Sequence, residues 1–166
     1  MVDTIYALAT PLGRAGVAVV RVSGPDAFMS LHYLCNDIGI KPRKTILCDL
    51  YTQEGLHLDK ALVLPFKGPH SFTGEDVVEL HLHGSIAVIQ KTLETLSKIT
   101  NFRQALPGEF TRRAFSNEKL DLAEIEGLAD LIEAETEAQR VQALKVLSGK
   151  LGERAQEWRS MIIKAM

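Results

Sequence analysis

Over its first two-thirds the chain sets apolar residues in short, strand-length runs broken by Gly and Pro. Over the last third they recur at helical spacing. Thr4 to Ala9 and Val17 to Val22 read as strands, separated by Thr10-Pro11-Leu12-Gly13-Arg14-Ala15-Gly16, a loop that proline and two glycines keep irregular. Ser23-Gly24-Pro25-Asp26 then predicts a helix reaching about Asn36, with Pro25 near its first turn. Thr45 to Tyr51 and Lys60 to Leu64 predict a hairpin around Gln53-Glu54-Gly55. Pro65 to Asp76 reads as a long polar loop, followed by a strand from Val77 to His83. Gly84-Ser85 leads into a helix ending near Ile99, and a second irregular stretch carries Pro107 to Arg113.

Beyond residue 118 the pattern becomes helical. Leu122, Ile125, Leu128 and Ile132 form one stripe. Ala138, Val141, Leu144, Leu151, Ala155, Trp158 and Ile162 form a looser one, with Gly149 and Gly152 as a break. One or two such helices cannot enclose a core, so this half is expected to dock on another chain, on the first domain or on further sequence. The periodicity still runs at Met166 without a capping signal, which reads as a truncated chain. The expected division is residues 1–118 and 119–166. The fold class is α+β: a mixed β-sheet with helices, followed by the start of an all-α domain.

Charge sharpens the division. All six prolines lie before residue 118, where 12 basic and 11 acidic residues nearly balance; from Glu118 onward 7 basic face 10 acidic. The net of -2 over 166 residues argues against a dedicated nucleic-acid coat, without excluding one basic patch. Cys35 and Cys48 are too few for a disulfide scaffold. With no leader-like start they read as reduced thiols in a cytoplasmic protein, and no apolar run has membrane-spanning length.

Candidate chemistry collects on the Val77–His83 strand, where Glu79, His81 and His83 alternate with Val78, Leu80 and Leu82. The polar face either meets solvent or lines a ligand site. A carboxylate there suits a ligand with an amino–imino edge, such as guanine or a pterin. A metal site lacks a third ligand at diagnostic spacing. Arg21, on a strand face shared with Val17 and Val19, needs an anion or acceptor, which an ion pair or a ligand would satisfy equally. Arg112, Arg113 and Lys119 form a basic cluster that reads as surface charge or helix-capping contacts. Ser148-Gly149-Lys150 mimics the end of a phosphate loop, but Leu144 stands where its first glycine is required.

Several motifs in order also resemble a known family. Asp3-Thr4-Ile5, Ala9-Thr10-Pro11-Leu12-Gly13-Arg14-Ala15-Gly16 and Val20-Arg21-Val22-Ser23-Gly24 are similar to the start of the tRNA-modification GTPases called MnmE or TrmE. The likeness continues through Gly68 to Asp76, Glu79, His83-Gly84, Pro107 to Phe115, Asn117 to Glu124, Ala129 to Ile132 and Leu147-Ser148-Gly149. It implies an amino-terminal domain that binds a one-carbon tetrahydrofolate, of the 5-formyl or 5,10-methylene type, and forms a homodimer. The implied fold is that of the folate-binding domain of the glycine-cleavage T-protein. In this family a helical domain follows, carrying an inserted G domain that hydrolyses GTP with K+ and Mg2+. With an FAD-dependent MnmG (GidA) partner, the whole protein installs a carboxymethylaminomethyl or aminomethyl group on C5 of the tRNA wobble uridine, U34.

By motif position the resemblance places folate contacts at Arg21, Glu79 and Lys119. Ser85 and Glu118 depart from it, standing where the family often has glycine. It further implies that this chain alone neither hydrolyses GTP nor modifies tRNA. A dimer scaffold without independent ligand binding and an aminomethyltransferase-like folate enzyme are the alternatives.

Overall fold

The computed structural model describes residues 3–35, 39 and 41–165. They fall into two compact units, Met1–Arg113 and Ala114–Met166. The first is built on six strands: β1 (Thr4–Leu8), β2 (Ala15–Ser23), β3 (Ile46–Tyr51), β4 (His57–Phe66), β5 (Val77–Gly84) and β6 (Phe102–Gln104). Their order is β3-β4-β5-β2-β1-β6, antiparallel throughout except for the parallel pair β1/β6, so the sheet is mixed as expected.

The alternation along these strands divides the sheet into two faces. Val20 and Val22 of β2, Val78, Leu80 and Leu82 of β5, and Ala61 and Val63 of β4 are buried. They form one core with Leu31 and Leu34 of helix α1 (Met29–Leu34), Leu96 of helix α2 (Ile86–Ser97) and the following Ile99. Cys35 and Cys48 belong to this core, with their sulfurs 3.3 Å apart as free thiols. The opposite face carries Arg21, Glu79, His81, Leu62 and Leu47, in mutual register across β2, β5, β4 and β3. Leu47 and Leu62 there are exposed.

Three expectations change. The segment after Gly24 makes turns to Phe28 before α1 begins at Met29; its expected end near Asn36 lies outside the described residues. Pro65 and Phe66 belong to β4 instead of a loop. Proline has no N–H for a ladder, and it is accommodated because β3 already ends opposite Val63; the Pro65 carbonyl accepts from Arg43 N–H at 2.7 Å. Third, the stretch expected to be irregular up to Arg113 contains helix α3 (Glu109–Ser116), introduced by Gly108 at φ +70°. Strand β6 lies in a segment for which no element was expected.

The second unit contains α4 (Leu122–Glu133), α5 (Glu137–Leu147) and α6 (Lys150–Ala165). Asp121 and Thr136 begin α4 and α5 with reciprocal capping boxes to Glu124 and Gln139. Gly149, at φ +75°, separates α5 from α6, whereas Gly152 lies inside α6. Lys150 is therefore helical, as the failed phosphate-loop spacing requires. The predicted stripes coincide only in part with the buried seam: Ile125 and Leu128 are half-buried. Leu122, Ile132, Trp158 and Ile162 stay exposed, while the small residues Gly127 and Ala143 are buried; the side chains of Leu151 and Ala155 lie outside the described residues. A Cβ on Gly127 would come within 2.6 Å of Leu147 N, so α4 and α5 approach backbone to backbone there. Among the described residues no helix is long and apolar enough to cross a membrane.

Candidate functional site

Register creates the site. Arg21 of β2 stands directly opposite Glu79 of β5, and Val19 opposite His81. The Arg21 guanidinium donates from Nε at 2.9 Å and from Nη2 at 2.8 Å, both to Glu79 Oε1. Glu79 Oε2 faces His81 Nε2 at 3.5 Å. That nitrogen is shut off from solvent and has no hydrogen-bond partner among the described residues. Aromatic rings close over the arginine, Phe72 at 4.9 Å and Phe110 at 5.7 Å from its guanidinium carbon. The result is a fixed carboxylate with one oxygen spent and one available, beside an unsatisfied imidazole nitrogen and apolar walls. Such a group can accept N–H bonds from a flat heterocycle.

His83 takes no part in that pair. Its backbone N–H and its ring Nδ1 meet the two oxygens of Asp59, at 2.8 and 2.7 Å. Burial raises the Asp59 pKa, but the two His83 contacts and the Lys60 N–H outweigh it, leaving the carboxyl below its ordinary value. Among the described residues no three or more His, Cys, Asp or Glu side chains gather as metal ligands.

A second charge network holds the walls in place. Glu109, at the start of α3 and only 2% exposed, receives Arg103 Nη1 at 2.8 Å, Arg103 Nη2 at 2.6 Å and Leu106 N–H at 2.8 Å. Arg103 also bonds Asp3. Arg113 bridges Asp3 at 2.7 Å and Glu75 at 3.1 Å, and Glu75 in turn accepts from Ser23 at 2.7 Å. The loop bearing Phe72 and the helix bearing Phe110 are thus tied to the ends of β1 and β2. Arg112 and Arg113 were expected as one basic cluster. Both reach Glu109 Oε1, at 3.5 and 3.3 Å, but Arg112 is 65% exposed at the rim whereas Arg113 is 11% exposed within the network. Asp3, Arg103 and Glu75 carried no local signal of this role.

Arg103, opposed by burial and helped by the Leu106 N–H, holds the Glu109 carboxyl down to about 2. Asp3 is lowered by Arg103 as well, against a desolvation cost and with help from Arg113. A carboxylate depressed in the folded state contributes stability that is present above its unfolded pKa and lost as pH falls through the folded one. Unfolding free energy is therefore expected to decline from the ordinary carboxylate range down toward pH about 2. Urea titrations of the wild type and of Glu109→Gln across that range check this; the variant should start lower and show a shallower acid slope.

The sequence of residues 4–119 matches the family described as GTP-binding protein TrmE N-terminus. The chain belongs to this family. It is 56% identical over 163 residues to a protein of Roseobacter denitrificans named tRNA modification GTPase MnmE, covering 98% of this chain and 38% of the relative. Proteins of the same name are 53% identical in Parvibaculum lavamentivorans, over 99% of this chain and 38% of the relative. In Phenylobacterium zucineum the identity is 50%, over 100% of this chain and 37% of the relative. The chain thus spans well under half the length of these relatives.

Of the three positions singled out by resemblance to MnmE, the structure brings Arg21 and Glu79 into direct contact within the first unit. Lys119 belongs to the second unit, where it is exposed and its backbone N–H donates to Ala114 O at 2.8 Å. The two departures from glycine differ physically. Ser85 has an ordinary extended backbone at φ -83° and precedes α2. Glu118 sits at φ +55°, where a side chain is strained. The left-handed conformation costs a non-glycine residue about 1–2 kcal/mol, and glycine's greater unfolded-state freedom offsets about 0.5–1 of that. Glu118→Gly is therefore expected to stabilise the chain by about 0.5–1 kcal/mol, read as a raised urea midpoint at unchanged slope.

Proposed function

We propose that the first unit binds a one-carbon tetrahydrofolate, of the 5-formyl or 5,10-methylene type, at the Arg21–Glu79 pair and assembles as a homodimer. It would do so as part of a GTPase that, with an FAD-dependent MnmG-like partner, modifies C5 of the tRNA wobble uridine. The observation that carries the ligand reading is the Glu79 carboxylate, fixed through Oε1 by Arg21 while Oε2 stays open beside the unsatisfied His81 Nε2. In this reading Glu79 accepts N–H groups of the pterin edge. Arg21 holds the carboxylate in position, and Phe72 flanks the ring. Lys119 supplies a further cationic donor. The folate supplies the one-carbon unit, the redox step belonging to the flavin partner, and GTP, K+ and Mg2+ act through the G domain of the longer protein. The T-protein folate-binding domain is the fold this unit is proposed to share.

The dimer reading rests on exposed Leu47 and Leu62, which share the sheet face of the pair and would be covered by a second copy. The same residues favour the rival reading, a scaffold that dimerises without binding folate. Calorimetric titration with 5-formyltetrahydrofolate, with oligomeric state measured on the same sample, separates the two. Saturable binding near one site per chain, at micromolar or better affinity, is expected. A folded dimer that gives no binding heat would leave the scaffold.

A further inference from the structure

We propose that His81 is a third ligand-reading residue of this site, its Nε2 taking one of two ligand N–H donors while Glu79 Oε2 takes the other. This rests on the folate reading above. A carboxylate facing an amino–imino edge would ordinarily use both oxygens. Here Oε1 already receives both Arg21 bonds, at 2.9 and 2.8 Å. Among the described residues, Oε2 has no hydrogen bond, and His81 Nε2 lies 3.5 Å from it. The two available atoms therefore come from adjacent side chains on one face of β5, and together they replace the bidentate carboxylate.

The imidazole is placed for this and little else. Its strand neighbours in register are Val19 and Leu62, both apolar, so no side chain opposite it can satisfy the nitrogen. Leaving a buried polar atom unpaired is costly, and natural structures seldom keep one without a use. With Nδ1 carrying the proton, Nε2 is an acceptor, and the pair Oε2/Nε2 selects a ligand edge with two neighbouring N–H donors. A 2-amino-4-oxo heteroring has such an edge in its amino group and adjacent ring N–H.

The test uses His81→Leu, which fits between Val19 and Leu62 and removes the nitrogen. A ligand-reading histidine predicts a melting temperature unchanged or raised in the ligand-free protein. Affinity for 5-formyltetrahydrofolate should fall about tenfold. His81→Gln, which keeps a carbonyl acceptor, should recover part of that loss. A fall in melting temperature without loss of affinity would make His81 a structural residue and overturn the proposal. Unchanged affinity in both variants would overturn it too. If the wild type itself binds no folate, the parent reading fails and this one with it; if the wild type binds and His81→Leu binds equally, only this one fails.

Discussion

Replacing Gly24 by alanine is expected to lower the unfolding free energy by about 3–5 kcal/mol. Two independent costs coincide at this residue. Gly24 sits at φ +142°, a conformation that side chains rarely adopt. Holding a residue in such a region costs about 1–3 kcal/mol. A Cβ there would also lie 2.6 Å from Thr4 Cα and 2.9 Å from the Asp3 carbonyl oxygen, and backbone cannot rotate aside as a side chain can. Forcing volume into such a contact costs about 1–3 kcal/mol more. The strained segment is well tied: Gly24 N–H donates to Asp76 O at 3.0 Å, and Asp26 N–H to Thr4 Oγ1 at 3.0 Å. Pushing Asp3 outward pulls on Arg103 and Arg113, and so on the supports of Phe72 and Phe110. Gly13→Ala is the control, since nothing lies within 4 Å of its Cβ position. Denaturant unfolding should show a large midpoint shift for Gly24→Ala and a change within about 0.5 kcal/mol for Gly13→Ala. Equal, small shifts would mean that the β2 end relaxes freely.

The same neighbourhood shows which features a sequence exposes. The strands β1, β2 and β5 and the hairpin of β3 with β4 were legible because alternation and turn residues are local signals. Glu79 and His81 were placed on one face for that reason, whereas the His83 ring turns to Asp59. Their partners were not legible. Arg21 meets Glu79 only because β5 lies beside β2 in the sheet, 58 residues apart in the chain, and no periodicity encodes which strands become neighbours. The Asp3–Arg103–Glu109–Arg113–Glu75 network draws on four separate segments and had no pattern at all. Strand β6 is too short for alternation to register. Helix α3 was hidden by its opening Pro107-Gly108, read as loop although those residues introduce the helix. In the helical unit the first stripe was legible in part, Ile125 and Leu128 being half-buried while Leu122 and Ile132 are exposed. Close packing at Gly127 uses a residue without a side chain, and a search for apolar spacing passes over it.

The other large effect is expected at Glu79. Glu79→Gln should weaken 5-formyltetrahydrofolate by about 2–5 kcal/mol while leaving the dimer intact. The contrast with an ordinary surface pair decides the point, because truncating an exposed ion pair costs under about 1 kcal/mol. Arg21 and Glu79 are 24% and 19% exposed, so the pair is largely removed from water without being sealed. Glutamine preserves shape but has one acceptor oxygen where the carboxylate has two. If that oxygen stays on Arg21, the amide NH2 faces the ligand's own N–H donors and repels them. If it turns toward the ligand, the NH2 meets the guanidinium instead, and the arginine loses its acceptor. Neither rotamer serves both partners, so the loss should be large. It should not extend to self-association, which is assigned to Leu47 and Leu62 elsewhere on the face. Calorimetry and sedimentation on the same preparation read the two effects separately. Undiminished folate affinity would reduce Arg21–Glu79 to a structural tie between β2 and β5; a lost dimer with intact affinity would move the association surface onto the pair itself.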